Sequence, residues 1–478
     1  MAQAQRRILQ RLLAMHRGTA IGARLGLGGI VPEDYRTAVP VMRYADIEDL
    51  IERSRRGESG ILFPGRAQSM AQTSGTTSIQ AAGERYIPQN SDLLEHHAKG
   101  GMAALARLVQ ACGPALLGGK LLMLGGSTAL ERNAWGMPEG DLSGIVASRI
   151  PALLKGLYEP GPSIALEPQW RLKIERIAKR CAPLDVRMVS GIASWLHVLF
   201  EAICREAGAE QLDRIWNLRG VVHGGAPIAP SLGMLSRHLR PSQWMMEVYP
   251  SSEGFIAVGS RPWRLGEGVP PALEVLSDHG AYFEFLPEGD DPSRAVGPER
   301  LERGGLYSVL VTTPGGLVRY ELGDLVQGDG PGRLRVAGRL KARLSAFGEH
   351  VEGMQIAQAL QFACREHDAG VCEYHVAPLL PLPGEACGRH EWWIEFDRLP
   401  ADSKAFAQTL DGWLRAHVID YDAHRKDDLQ LAPPALRVLA PGTFHRALER
   451  MGKLGGQHKI PQAASDRAFA AHLEGVLP

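Results

Sequence analysis

Gly220-Val221-Val222-His223-Gly224-Gly225 is a short apolar run that ends in glycine, and the chain holds two more of the same kind. These are Lys120-Leu121-Leu122-Met123-Leu124 before Gly125-Gly126, and Val186-Arg187-Met188-Val189-Ser190 before Gly191. Apolar strands that stop at glycine build a sheet whose strand ends open onto a cleft. Between Gly191 and Gly220, the run Ser194-Trp195-Leu196-His197-Val198-Leu199-Phe200-Glu201-Ala202-Ile203 has helical periodicity with a serine near its start. Strand and helix in alternation are α/β architecture.

Outward from this centre the texture changes twice. From about Glu274 it is β-rich, with Tyr282-Phe283-Glu284-Phe285, Leu306 to Thr313, Leu317-Val318-Arg319-Tyr320 and Arg333-Leu334-Arg335-Val336 separated by Pro/Gly turns, which fits a meander or distorted barrel. After Gly338-Arg339-Leu340-Lys341 the pattern resets into helices from Val351 to His367 and from Lys404 to His417, with strands near Tyr374 and Trp392. The expected fold is therefore α/β: a large N-terminal domain over residues 1–339, of sheets with helices plus a barrel-like region, and a smaller α+β C-terminal domain over residues 340–478.

The 478 residues carry 53 basic and 53 acidic side chains, so no global field draws nucleic acid or an anionic membrane, and neither is expected as a partner. The six cysteines show no C-x-x-C pair and no zinc spacing; they read as reduced thiols of a cytoplasmic protein. Arg6 to Met15 forms a basic amphipathic helix without a signal sequence's apolar core, and no stretch has the run of apolar residues a membrane span needs.

Five segments carry chemistry. Gln72-Thr73-Ser74-Gly75-Thr76-Thr77-Ser78, ahead of Ala82-Gly83-Glu84-Arg85, sets hydroxyls around a glycine that lets backbone amides face a polyphosphate. It is not a G-x-x-x-x-G-K-[ST] loop. Val248-Tyr249-Pro250-Ser251-Ser252-Glu253-Gly254 offers an aromatic face for a purine and a carboxylate for Mg²⁺. Arg319-Tyr320-Glu321-Leu322-Gly323-Asp324 presents an aspartate whose two oxygens match the hydroxyls of a ribose. Gly338-Arg339 places a guanidinium within reach of ribose or phosphate, and Gly455-Gly456-Gln457-His458-Lys459-Ile460-Pro461 carries a lysine on a glycine-flanked loop.

In this order the segments resemble the adenylate-forming, firefly-luciferase-like enzymes, and within them the acyl acid amido synthetase family that includes the plant auxin- and jasmonate-conjugating enzymes. Pro441-Gly442-Thr443-Phe444 and the lysine loop also look like that family's C-terminal pattern. The resemblance implies ATP and Mg²⁺, an acyl acid substrate, and an amine acceptor, commonly an amino acid, in the cleft beneath a mobile C-terminal cap. It implies that Ser74, Thr76 and Thr77, with Gly75, hold the β- and γ-phosphates, that Tyr249 lies against the adenine with Ser252 nearby, and that Gly225 and Ala226 line the adenine pocket. Glu253 would bind the metal, Asp324 the ribose, and Arg339 ribose or phosphate, while Lys459 and Glu253 serve catalysis. Trp135, Trp195 and Leu196 are the expected acyl pocket; His223, His197 and His350 are the candidate bases for the amine. Two departures stand out: Ile79-Gln80-Ala81 lengthens the phosphate segment, with Arg85 where a lysine is frequent, and Glu321 replaces an arginine whose work would pass to Arg319 or Arg339. Transfer to coenzyme A or a carrier thiol, and a nucleotide sensor without turnover, are the competing readings.

Overall fold

Leu9, Leu12 and Leu13 fall on one face of helix α1 (Ala2–His16) and are buried in a core shared with the β-rich region, so the basic N-terminal helix is docked. The computed structural model describes residues 1–73, 85–125, 130–149, 155–167, 169–225, 228, 231–339, 343–344, 346–347, 349, 351–381, 387–425, 431–451 and 460–477. Two strands, β1 (Ser69–Thr73) and β2 (Arg85–Gln89), pair antiparallel with Thr73 opposite Arg85, so the hydroxyl-rich segment 74–84 joins them. Asn90 then caps α2 (Ser91–Cys112), its side chain accepting from the Leu93 amide at 2.8 Å. Such a cap is worth about 1 kcal/mol.

The glycine-ended strands are β3 (Lys120–Met123), β5 (Val186–Gly191) and β6 (Gly220–Gly224), while β4 (Pro138–Asp141) pairs in parallel with β1 in the smaller sheet. With β7 (Trp244–Pro250) they lie parallel in the order β3-β5-β6-β7. Side chains alternate across this sheet. Leu121, Met188 and Met246 pack on one face with Ala104 and Leu108 of α2. Leu122, Val189 and Met245 pack on the other with α3 (Trp170–Cys181) and α4 (Ala193–Ala207). The cap position of α4 is Ile192, two residues before the serine.

Beyond β7 the same sheet turns antiparallel through β8 (Phe255–Gly259), β9 (Leu273–Val275), β10 (Tyr282–Pro287), β11 (Leu306–Thr312), β12 (Tyr320–Gly328) and β13 (Arg333–Arg339), in the order β7-β8-β9-β13-β12-β11-β10. The strand expected over Leu317 to Tyr320 begins only at Tyr320, because Arg319 sits at φ +47° and breaks the extended backbone.

The C-terminal unit has its own cores. Helix α6 (Gly353–Glu366) and α7 (Ser403–His417) cover one face of the three strands β14 (Gly370–Leu379), β15 (Gly388–Arg398) and β16 (Leu431–Leu439), and α8 (Thr443–Arg450) covers the other. Trp392 and Trp393 enter opposite cores, again by strand alternation. Among the described residues no apolar cluster mixes side chains from before Leu334 with those after Leu344. One polar contact between the two parts is Arg237, which donates to Asp397 at 2.6 Å. No described helix is long and apolar enough to cross a membrane, and all six cysteines are free.

Candidate active site

Strand β7 is the seam between the parallel and antiparallel halves of the sheet, and its carboxyl end carries Tyr249. Beside it, a Cβ on Gly224 would lie 2.3 Å from the Val248 carbonyl oxygen, so glycine is what lets β6 and β7 close up at this end. Gly225 follows at φ +79°. The Tyr249 hydroxyl donates to Asp324 Oδ2 at 2.6 Å, with both side chains buried. In hydrogen-bonding order β7 and β12 are four strands apart, about 19 Å on a flat sheet. Contact at hydrogen-bond distance therefore requires the antiparallel half to curl onto β7, which is the barrel-like region. On β12 the pairing with β11 shifts register between Ser308 and Leu310, and Gly323 at φ +76° occupies the irregularity just before Asp324. A bulge of this kind re-aims the next side chain. Asp324 stands across from Arg339 on β13; the Arg339 side chain lies outside the described residues.

The second carboxylate, Glu253, rides on a tight turn between β7 and β8. Ser251 and Gly254 exchange backbone bonds, N to O, of 2.9 and 3.2 Å across it. The turn is held from the end of β2 and from α2. The Gln89 amide donates to the Ser252 carbonyl at 3.0 Å, and the Phe255 amide donates to His96 Nε2 at 3.0 Å. Because Nε2 accepts, the proton of His96 sits on Nδ1 and is donated to the His279 carbonyl at 2.9 Å. His97 bonds the Ser252 backbone. Burial pushes His96 down to about 4 and His97 to about 3, so both imidazoles are neutral and brace the turn without adding positive charge beside Glu253. Ser252 itself is buried and Glu253 is half-buried. Gln89, His96 and His97 were not legible as site residues; two adjacent histidines near a helix start were the available signal.

At the end of β3, the buried Lys173 ammonium donates to the Gly125 and Ala165 carbonyls at 2.9 and 2.7 Å, and burial lowers it to about 8. This fixes the chain where the first glycine-ended strand leaves the sheet.

The structure separates the remaining candidates. Ser74, Gly75, Thr76, Thr77, Ala226, His350 and Lys459 lie outside the described residues. Arg85 sets its guanidinium 5.0 Å over the Tyr44 ring. Arg319 cannot inherit the missing arginine's role: it is 1 % exposed, and its guanidinium is occupied by Glu284 and by the Arg36 and Val39 carbonyls. Glu321 pairs with the exposed Arg43 at 2.9 Å. Trp195 packs edge-on to Trp170 with ring centroids 5.0 Å apart, and the adjoining Leu196 is wholly enclosed by core side chains, leaving it no surface for a substrate. Trp135 is not brought to them; it stands 54 % exposed beside the small sheet, with Arg56 over its ring. His223 is fully buried against Trp263 and lowered to about 3 by burial, and His197 pairs with Glu201 on its own helix, so neither is placed as the amine's base.

Sequence models of one family match in order: the GH3 family N-terminal domain over residues 1–196, the central domain over 274–331 and the C-terminal domain over 354–468. The chain belongs to the GH3 family. A probable indole-3-acetic acid-amido synthetase, GH3.9 of Oryza sativa subsp. japonica, is 26% identical over 262 residues, covering 49% of this GH3 chain and 58% of the relative. The chain spans about half the length of the first curated relatives it matches. In structure it superposes on the AtGH3.15 acyl acid amido synthetase in complex with 2,4-DB with a TM-score of 0.81 at 18% identity, covering 100% of this chain and 94% of that one. A 2-hydroxyisobutyryl-CoA ligase in the postadenylation state shares the fold at a TM-score of 0.58 and 14% identity, over 98% and 91% of the two chains. The fold of this GH3 protein is thus the mixed α/β fold of the adenylate-forming enzymes.

Proposed function

We propose that this protein activates a carboxylic acid with ATP and transfers the acyl group to an amine, with an amino acid the expected acceptor. A carboxylate oxygen of the acid attacks the α-phosphorus of ATP and pyrophosphate leaves; the amine then attacks the acyl carbonyl and AMP leaves. The observation that carries this reading is the Tyr249–Asp324 hydrogen bond, which joins two sequence segments at the carboxyl end of the seam strand, beside the braced Glu253 turn. Membership of a family whose named relatives are amido synthetases supports it.

On this reading Asp324, oriented by Tyr249, receives the ribose, with Arg339 near it. The Tyr249 ring belongs to the apolar core, so its main service is to aim Asp324, and its face toward the adenine is limited. Ser74, Gly75, Thr76 and Thr77 hold the phosphates on the connection between β1 and β2; Gly225, Ala226 and Ser252 border the nucleotide. Glu253 suits magnesium, being a half-buried carboxylate on a rigid turn braced by neutral groups; the ion would neutralise phosphate charge there. Lys459 stabilises charge on the α-phosphate and the attacking carboxylate. The separate cores of the two parts support residues 340–478 as a cap that moves over this cleft. Free cysteines and the lack of a described spanning helix support a cytoplasmic setting.

The test is acid-dependent exchange of labelled pyrophosphate into ATP across a broad panel of carboxylic acids, followed by mass spectrometry of products formed with pooled amino acids. Exchange with at least one acid and an amide product are expected. Absence of exchange with every acid would sink the adenylation step, and discharge by coenzyme A alone would replace the amine with a thiol.

A further inference from the structure

We propose that His197, Glu201 and His238 form a binding site for a divalent transition metal of the zinc class, in the helical layer over the parallel strands. His197 and Glu201 are four residues apart on α4, which sets them one above the other on one face, with His197 Nε2 3.3 Å from Glu201 Oε1. His238 comes from a different segment, just after the short helix α5 (Leu232–Leu235), and its ring centroid is 5.2 Å from that of His197. One ring nitrogen of each histidine and one carboxylate oxygen all lie within 4.8 Å of one another.

An ion with bonds of about 2.1 Å draws tetrahedral donors to roughly 3.4 Å apart, so binding closes this set by about 1 Å. Two imidazoles and a carboxylate suit zinc and its neighbours and leave a fourth position for water. The set is otherwise poorly satisfied: His197 Nδ1 and His238 Nε2 are buried with no hydrogen-bond partner. Cys204 Sγ lies 3.9 Å from His238 Nδ1, a contact that orients the ring. His238 also lines a cavity of about 380 Å³ with Leu212, Trp216 and Arg240, which gives an ion a path inward. Its sequence neighbour Arg237 carries the contact to Asp397, so the metal would tie α4 to the segment on which the C-terminal unit rests.

The experiment uses the full chain, freed of any tag and of metal, titrated with Co²⁺ and then Zn²⁺. One equivalent is expected, with the visible absorption of tetrahedral cobalt lost as zinc displaces it. His238→Ala and Glu201→Gln should each weaken binding by ~100-fold while far-UV circular dichroism is unchanged. Cys204→Ser should still bind. No saturable binding, or binding unaltered in both ligand variants, overturns the site. Should a variant fail to fold, X-ray absorption of the wild-type cobalt form decides: two imidazoles in the metal's shell support the proposal, and their absence refutes it.

Discussion

Arg319 and Asp324 stand five residues apart in one segment and both are buried, yet they serve opposite ends of the molecule's economy of charge. Arg319 turns inward at φ +47° and its guanidinium is surrounded by Glu284 and the Arg36, Val39 and Pro292 carbonyls, which bind the N-terminal segment to the antiparallel region. Asp324 follows a glycine at φ +76° and is met by Tyr249 at the carboxyl end of the parallel strands. Two backbone irregularities, and not burial or residue type, decide which charged group is locked among main-chain carbonyls and which is turned to Tyr249.

The comparison breaks most visibly at Arg319. Arg319→Ala leaves Glu284 buried with only the partly exposed Arg36 to balance it, and should destabilise the fold by about 3–5 kcal/mol in urea unfolding. A loss below ~1 kcal/mol would return Arg319 to the list of ligand contacts. Asp324→Asn keeps the shape and removes the charge; pyrophosphate exchange should fall by ~100-fold while the unfolding midpoint barely moves. Equal activity would remove Asp324 from the site.

Acid sharpens the contrast, since the Glu253 turn rests on histidines. His96 and His97 titrate at about 4 and 3 in the folded protein, below the usual 6.5. The unfolded chain therefore binds more protons as pH falls through 6.5, and the stability present above that value is lost progressively toward pH 4 and 3. His97→Gln should flatten this slope by one proton, about 1.4 kcal/mol per pH unit. An unchanged slope would mean that His97 is not neutral in the fold. The smallest effect belongs to Glu321. Its partner Arg43 is 73% exposed, so Glu321→Gln should change stability by less than ~0.5 kcal/mol and exchange by less than ~2-fold. A tenfold change in exchange would place Glu321 beside the nucleotide.

Much of this arrangement could be read along the chain because it rests on local rules. Strand alternation at Leu121–Leu122 and Met245–Met246, the glycines after β3, β5 and β6, and the helix of Leu9, Leu12 and Leu13 each follow from a period of two or 3.6. Tyr249, Glu253 and Asp324 stood out because an aromatic and two carboxylates beside glycine turns suit a nucleotide, and the structure sets Tyr249 against Asp324. Leu196 misled, since a helical apolar residue looks alike whether it faces a substrate or a core. Gln89, His96 and His97 escaped for the converse reason: nothing in their spacing tells that the end of β2 and the first turns of α2 lie against the Glu253 turn.

Residue order alone determined the strand and helix periods, the glycine breaks, the reset near Leu340 and the chemical kinds of side chain available. Only the tertiary structure decided that β7 and β12, four steps apart in one sheet, meet through Tyr249 and Asp324. It also decided that Arg319 points inward and that His197 and His238 share a pocket of donors. The physical reason is that period and turn chemistry act over a few residues, whereas sheet curl and helix packing join residues tens of positions apart through contacts that no local pattern encodes.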